Sequence, residues 1–415
     1  MKRYLILFSF FWSLLVFPPT TNAQESQENT TVNVGTGIHQ PNLVSTHPLG
    51  LFFARVGPNF NTKVTAGTTL NFQVQSGNVF QPPVEVYLPD DPALRETFSN
   101  QPWFFRSFDY IDQETTPAQR MDLHFDAVYK VYRMSVDIPL NQQHQLSVGV
   151  RAFQTISGNF VNSPLTNDES IEWFHRNVAG GPDPFGREFY GLNQVVVDYT
   201  DRNGRQLKMQ ENEMILGGLE LVYRYSPTLT HWNQKGWSLN LQAHLGWNTS
   251  KYNPSLDVGA GSSLIKSILL TNKSWLNAGL GLHVTAKNFS RNEDVLDTGN
   301  NNFMGVGEVT LQWSHKTRHG NWNSLGVNYQ YQTPFFKREE ADYFHLKGDW
   351  DAINQGWHHA YTTLIEELTG WSLIYSHQRE VWGISVYLRE DLDVHNAPDV
   401  ETGIQLNFLL DRPKS

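Results

Sequence analysis

The stretch Trp237–Asn248, WSLNLQAHLGWN, decides the fold, because reading every second residue separates it into two rows. One row is apolar and consists of Trp237, Leu239, Leu241, Ala243, Leu245 and Trp247. The other is small or polar and consists of Ser238, Asn240, Gln242, His244, Gly246 and Asn248. A period of two indicates a β-strand whose successive side chains point to opposite faces. The apolar row needs either the core of a soluble sandwich or the lipid around a membrane barrel.

The same alternation recurs along most of the chain, in the segments 64–75, 146–152, 215–225, 276–286, 324–331, 382–389 and 400–410. Their apolar rows contain no charged residue. The opposite rows contain Arg151, Glu220, Arg224 and Arg389. A Lys or Arg that faces lipid at mid-bilayer costs about 2–4 kcal/mol. The absence of charge from one row of each segment therefore favours lipid over a protein core.

The length of these segments supports the same interpretation. They run for about 10 to 12 residues, whereas strands of soluble sheets usually have about 5 or 6. A strand of about 11 residues, tilted by about 40°, spans roughly 28 Å, which matches the lipid band of a membrane barrel. Trp237 and Trp247 stand at the two ends of one apolar row, where interfacial aromatic residues belong. The sequence predicts a transmembrane antiparallel up-and-down β-barrel of about 12 strands, within a range of about 10–14.

The predicted strands do not alternate perfectly with loops. Long stretches are expected at 76–118, 157–212, 251–273 and 334–357. A simple barrel alternates long loops on one side with short turns on the other. That alternation slips between Ala286 and Thr333, which indicates that one strand is missing from the predicted set or is wrongly included.

The first residues predict export from the cytoplasm. Lys2 and Arg3 precede an apolar run, and Thr21-Asn22-Ala23 forms a suitable cleavage site, so residues 1–23 are predicted to be a signal peptide. Residues 24–44 are polar and lack periodicity, and we expect them to be a periplasmic lead-in to a barrel formed by 45–415. The expected location is the outer membrane of a Gram-negative bacterium, with the barrel-assembly machinery as a partner during biogenesis.

Composition excludes several function classes. The formal net charge of −10 argues against nucleic acid as a partner. The complete absence of cysteine excludes disulfides, thiolate nucleophiles and Cys-based zinc sites. Hydrophobic residues make up only 39% although there are 13 Trp, which suits a barrel that needs one apolar face per strand. No cofactor and no metal site are predicted.

The stretch 157–212 contains a predicted helix. Thr166 and Glu169 have the spacing of a capping box, and Ile171, Phe174 and Val178 recur at helical intervals. A Gly- and Pro-rich loop follows, and then a hairpin with the turn Asn203-Gly204. Such a segment either folds into the lumen as a plug or forms an ordered extracellular loop, and the second interpretation is favoured.

Two parts of the chain resemble a known family. The order Asp168, Ile171, Phe174-His175 and Gly186-Arg187 resembles a stretch of an uncharacterised family of bacterial outer-membrane-type barrels, catalogued only as a domain of unknown function. The tail 388–408, LREDLDVHNAPDVETGIQLNF, is similar to the closing strands of that family, where an acidic turn precedes an Asp-led final strand. The second block departs from the pattern through Pro182 and Pro184. The resemblance implies a barrel and implies no activity.

One cluster has catalytic residue types. Asp122, His124 and Asp126 share a face of the strand MDLHFDAVYK, and an imidazole between carboxylates suits proton transfer or a divalent metal. No nucleophile or second neutral ligand accompanies them. The favoured interpretation is therefore a row of lumen-facing polar residues that are hydrogen-bonded to one another.

The polar rows predict a hydrated interior. The candidate lumen-lining residues are Asn71, Gln73, Asn240, Gln242, His244 and Asn328. The favoured function is a passive, porin-like channel or conduit for a small solute, embedded in outer-membrane lipid. Two alternatives remain open, namely an outer-membrane enzyme that acts on lipid or peptide, and a structural or adhesive barrel.

Overall fold

The computed structural model describes residues 37–43, 47–88, 91–93, 102–103, 106–107, 109–110, 119–158, 163, 165–179, 181, 187–201, 203–291, 295–337, 346–347, 367–391 and 399–411. The predicted signal peptide 1–23 and the candidate residue Gly186 lie outside these ranges.

Within these ranges, twelve antiparallel strands form a closed barrel. They are β1 Thr69–Leu88, β2 Gln119–Pro139, β3 His144–Ile156, β4 Met214–Tyr225, β5 Trp237–Asn248, β6 Ser255–Thr271, β7 Ser274–Arg291, β8 Phe303–Lys316, β9 Trp322–Gln332, β10 Leu368–Gln378, β11 Trp382–Glu390 and β12 Val400–Leu409. Each strand pairs with the next, and β1 also pairs with β12, which closes the ring and leaves no sheet edge exposed to lipid. The predicted up-and-down barrel of about 12 strands is confirmed.

Several short elements are not strands of the ring. They are the 3₁₀-helix Pro48–Phe52, α1 Asp168–Phe174 with the π-helical turn His175–Ala179, α2 Arg187–Tyr190, α3 Thr230–Gln234, and a hairpin of Val196–Thr200 and Gln206–Lys208 that pairs with β2. Two-residue strands pair Pro102–Trp103 with Arg106–Ser107, and Asp109–Tyr110 with Leu346–Lys347. The predicted short helix is confirmed, and its N-cap is Asn167, whose side chain accepts a hydrogen bond from the Ser170 amide. No helix in the described ranges is long and apolar enough to cross a membrane.

The exposure of the two faces of β5 decides between a soluble sandwich and a membrane barrel. Leu245, on the outward row of β5, is 42% exposed, whereas Asn240, on the inward row, is only 1% exposed. Soluble proteins bury their apolar rows and solvate their polar ones. Because this barrel buries its polar row and exposes its apolar row, its outer surface is suited to lipid. The soluble sandwich is therefore excluded.

The connections between strands differ at the two ends of the barrel. One end, here called the short-turn end, has the connections 140–143, 226–236, 272–273, 317–321 and 379–381. The other, here called the long-loop end, has 89–118, 157–213, 249–254, 292–302, 333–367 and 391–399. In outer-membrane barrels the short turns face the periplasm.

Three strands, β6, β8 and β10, are absent from the segments predicted above. β8 lies between Ala286 and Thr333 and restores the alternation that slipped there. The stretch 251–273, expected to be a loop, is largely β6, so that expectation was wrong. The outward row of β6 interrupts its apolar residues with Ser262 and Lys266, which weakens the alternating signal.

The inward and outward rows of the wall exchange their polarity near the long-loop end. From the short-turn end upward, the inward row of β2 reads Asp137, Ser135, Arg133, Val131, Tyr129, Ala127, Phe125. The outward row reads Ile138, Val136, Met134, Tyr132, Lys130, Val128, Asp126. β1 changes at the same level, because Val74 pairs with Tyr132 and Ser76 with Lys130. The lipid-facing band therefore ends between these two pairs, and above it the wall continues as a rim with an apolar inside.

Candidate functional site

A segment of the chain's own N-terminal region occupies the barrel interior. Residues 37–43 and 47–66, here called the plug, rise from the short-turn end and return to it. The two legs are joined by a bridge between Gly37 and Asn61 and by a hydrogen bond from the Ile38 amide to the Phe60 carbonyl, 3.1 Å long. Residues 37–43 belong to the predicted polar segment 24–44, and the rest of that segment lies outside the described ranges.

The wall holds the returning leg of the plug by its main chain. The Asn240 side-chain amide donates to the carbonyl oxygens of Asn59 and Asn61, at 3.0 and 2.6 Å. The Gln242 amide donates to the carbonyl oxygen of Gly57 at 2.8 Å. Because buried carbonyls need partners, these wall amides replace the water that an empty lumen would hold.

The opposite wall makes the same kind of contact. Gln73 donates to the Asn42 carbonyl oxygen at 2.8 Å. Arg389 donates to the Leu43 carbonyl oxygen at 3.1 Å. On the side of β5, Asp257 of the neighbouring strand β6 accepts a hydrogen bond from the Ala54 amide at 2.7 Å. The inward rows of the barrel therefore bind the plug largely through its backbone.

The tip of the plug is apolar and seals the long-loop end. Its fully buried residues are Leu49, Leu51, Phe52 and Phe53. They join a cluster with the rim residues Phe125, Tyr129 and Phe153 and with Phe335 of the loop after β9. The rings of Phe52 and Phe153 meet edge to face with centroids 5.3 Å apart. The hairpin of Val196–Thr200 adds Val197 and Tyr199 to this cluster.

The six predicted lumen residues all lie on inward rows. Gln73, Asn240 and Gln242 contact the plug, as described above. Asn71 donates to Asp137 at 2.9 Å, and Asn328 donates to Thr310 at 2.7 Å, so these two bond to other wall residues.

The remaining lumen residue, His244, forms a pair with a second histidine. The rings of His244 and His283 stack with centroids 4.9 Å apart, and Nδ1 of His244 lies 3.1 Å from Nε2 of His283. Both rings are buried.

A cavity remains between the plug and the wall. Its volume is about 530 Å³, and it reaches the short-turn end at the turn 379–381. Charged side chains line it in pairs, with Arg224 donating to Asp137 at 2.9 Å and Arg133 lying 3.9 Å from Glu220. Because the apolar tip closes the far end, the cavity is a vestibule open on one side, with both polar and apolar residues in its lining.

The stretch 157–212 is divided between two places. Its hairpin covers the plug tip, but α1 and α2 pack on the outside of the wall. Arg187, fully buried, donates to Asp168 and to Asn78, both at 2.7 Å, and to Asp399 at 2.6 Å. Gln75 and Val79 of β1 face the plug. Because side chains alternate along a strand, Asn78 stands on the outward row. The two helices therefore do not fill the lumen.

Electrostatics make Arg187 the centre of this cluster. Burial alone would lower the pKa of the Arg187 guanidinium, but Asp399 and Asp168 raise it overall. Burial raises the pKa of the Asp399 carboxyl, and the nearby Arg187 counteracts part of that rise. The ion pair with Asp399 ties the loop to the last connection of the barrel, and the hydrogen bonds of Asn78 tie it to β1.

The same cluster unites the two stretches of the family resemblance, since Asp168 and Arg187 belong to the first and Asp399 to the tail. Of the other residues in that pattern, Phe174 is exposed, and the His175 ring lies 3.4 Å from the Glu172 carboxylate.

The candidate catalytic row does not face the lumen as its polarity predicted. On β2 the inward residues at this level are Leu123 and Phe125, so His124 and Asp126 point outward from the rim. The His124 ring lies 6.4 Å from the ring of Tyr190 in α2, and Asp126 is buried. The side chain of Asp122 lies outside the described part of the chain. Among the described residues, no group of three or more acidic or histidine side chains is arranged to hold a metal ion.

The plug is the functional element that sequence analysis missed. It has neither strand nor helix periodicity, because the wall contacts its main chain. The available signal was indirect: the inward row of β7 carries Gly279 and Gly281, where a wall filled by its own side chains would carry larger residues.

A closed antiparallel barrel with apolar outward rows, polar inward rows and unequal connections defines this chain as a transmembrane β-barrel of the outer-membrane type. No protein-family model and no curated protein sequence matches it.

Several solved structures are similar in fold. An outer-membrane channel from Pseudomonas putida F1 has 11% identity and a TM-score of 0.37, over 83% of this chain and 96% of the other. A KdgM porin in complex with disordered oligogalacturonate has 7% identity and a TM-score of 0.31, over 83% and 99%. The CymD monoaromatic hydrocarbon channel has 8% identity and a TM-score of 0.30, over 92% and 96%. Because these values are low, the class assignment rests on the geometry of this chain.

Proposed function

We propose that the protein is a gated conduit for small polar solutes in the outer membrane of a Gram-negative bacterium, held closed by its plug. The observation that carries the proposal is that a separate chain segment, and not the wall's own side chains, fills the lumen. Both legs of that segment are attached at the short-turn end, so it is able to leave the lumen without breaking the barrel.

The size and lining of the barrel support this proposal. A ring of about eight strands fills its interior with wall side chains, whereas a wider ring leaves room for a cavity. Here the added room is taken by the plug and by the vestibule of about 530 Å³. The inward rows offer amide, hydroxyl and paired charged groups, which suit a hydrated solute. We infer that residues 1–23 direct export, and that the barrel-assembly machinery inserts the chain from the periplasm.

Single-channel recording in planar lipid bilayers tests the proposal. The full chain is expected to be silent or to open rarely, and a variant that lacks residues 37–66 is expected to conduct in steps well above the lipid background. Folding of both proteins is checked by electrophoresis with and without heating, because a closed barrel resists SDS until it is heated. A folded deletion variant that stays silent would overturn the conduit and favour a structural or adhesive barrel.

A further inference from the structure

The helix α1 sits on the outer wall immediately above the lipid-facing band. The hydroxyl oxygens of Ser76 and Thr166 lie 2.7 Å apart, and Asn78 donates to Asp168 at 2.8 Å. Ser76 and its partner Lys130 form the first outward pair above the apolar pair that ends the band. The start of α1 is therefore fixed at the height where hydrocarbon gives way to the polar headgroups.

The polarity of this helix is partly inverted. Its buried side carries Asp168 and Glu172, which face the Arg187 cluster, together with one apolar residue, Ile171. Its free side presents Trp173, Phe174 and Val178, which are 62%, 46% and 60% exposed. A surface helix of a soluble domain buries its apolar stripe and exposes its charges. Three large apolar residues on one short exposed stretch therefore indicate a surface made for contact.

The position of this surface on the protein indicates what it contacts. We propose that Trp173, Phe174 and Val178 insert into the outer leaflet of the membrane, so that α1 and the turn His175–Ala179 form an interfacial anchor beside the barrel. The helix that carries this surface starts on the outside of the wall, beside the upper end of the lipid-facing band of β1 and β2. Tryptophan is enriched at the headgroup level, and an amphipathic helix buries its apolar face there. The proposal is independent of whether the lumen conducts.

This anchor gives the Arg187 cluster a role. The outward rows of the rim carry Asn78 and Asp126, which are polar groups at the edge of the bilayer. The loop that carries the helices covers this part of the wall and supplies hydrogen-bonding partners to Asn78 on one side, and it offers an apolar face to lipid on the other. The loop thus extends the apolar surface of the protein over a part of the wall that is itself polar.

Spin labels test the proposal cleanly because the chain contains no cysteine. Single-cysteine variants Phe174→Cys and Val178→Cys are labelled in vesicles of phosphatidylcholine, and collision rates with oxygen and with a water-soluble nickel chelate are measured. Leu325→Cys, on the exposed outward row of β9, serves as the lipid control. Asn203→Cys, at the exposed hairpin turn of the long-loop end, serves as the aqueous control.

The expected result is that both α1 labels behave like the label at position 325, with nickel collisions several-fold fewer than at position 203. Labels at 174 and 178 that match position 203 would overturn the proposal. Dipolar broadening between labels would overturn it as well, since it would mean that a second copy of the chain covers the surface. Heat-dependent electrophoresis confirms that each variant is folded, and a Trp173→Cys label provides a third position if one variant is not.

Discussion

Ala54 of the plug lies directly against Gly246 of β5, and a Cβ atom added at Gly246 would overlap the Ala54 methyl group. Two further glycines on inward rows also leave space for side chains of the plug. A Cβ at Gly281 would overlap the ring of Pro58, and one at Gly279 would lie 2.7 Å from a methyl carbon of Ile38. The wall is therefore shaped for the plug in its seated position.

The first prediction follows from that fit. Gly281→Val is expected to prevent the plug from seating, because the added side chain would occupy the place of Pro58, and the variant should conduct continuously in single-channel recordings. Gly326→Val is the matched control, since Gly326 also lies on an inward row but its nearest neighbours are wall atoms, at 3.4 Å or more. Equal behaviour of the two folded variants would contradict the prediction.

The second prediction concerns the hydrogen bonds that hold the plug. Asn240→Ala removes the donor to the Asn61 carbonyl oxygen, whereas the Asn59 carbonyl oxygen keeps the Ser263 hydroxyl as a donor, and an unsatisfied buried group costs about 1–3 kcal/mol. The open probability is expected to rise by roughly 5- to 150-fold, which is that cost expressed as an equilibrium constant. Asn71→Ala provides the comparison, because Asn71 donates to the wall residues Ser135 and Asp137. Similar increases for both variants would show that the plug is not what Asn240 controls.

The third prediction separates the loop cluster from the lumen. Arg187→Ala leaves the buried Asp168 carboxylate and the partly exposed Asp399 carboxylate without their cation, and removing one partner of a buried ion pair costs about 3–5 kcal/mol. We expect the loop 157–212 to become sensitive to protease, while conductance stays that of the full chain. Arg176→Ala breaks an exposed pair with Glu188, worth about 0–1 kcal/mol, and should leave the loop resistant. A change in conductance with Arg187→Ala would mean that the cluster is coupled to the plug.

The barrel was predictable from sequence because lipid imposes the same requirement on every strand. Each membrane-facing row must be apolar, so a period of two survives in stretches such as Trp237–Asn248. β8 was harder to find, because Gly305 and Gly307 interrupt its outward row. Its weak signal explains why the expected alternation of loops slipped.

Periodicity shows that two faces differ but not which face is inside. His124 and Asp126 were expected in the lumen because polar rows face inward within the lipid band. Above that band the two environments exchange, since the plug tip makes the inside apolar and the helices cover the outside. This exchange of polarity between the inside and the outside depends on segments that are distant in sequence, so no local sequence pattern predicts it.

The sequence of the plug has no periodic hydrophobic pattern, for a related reason. Amide rows such as Asn240 and Gln242 are equally suited to water and to a peptide main chain. Only the folded chain shows that they bind residues 57–61.

Both legs of the plug return to the same side of the ring, which has a topological consequence for biogenesis. Asn277 donates to the Gly37 carbonyl oxygen near the start of β7, and the Thr68 amide donates to Asp411 after β12. A segment tethered at both ends on one side is not threaded, so no chain terminus has to pass through the closed ring. β1 can therefore pair with β12 before the plug docks, and residues 37–66 can enter from the short-turn end as a loop. The closed barrel does not have to reopen to accept them.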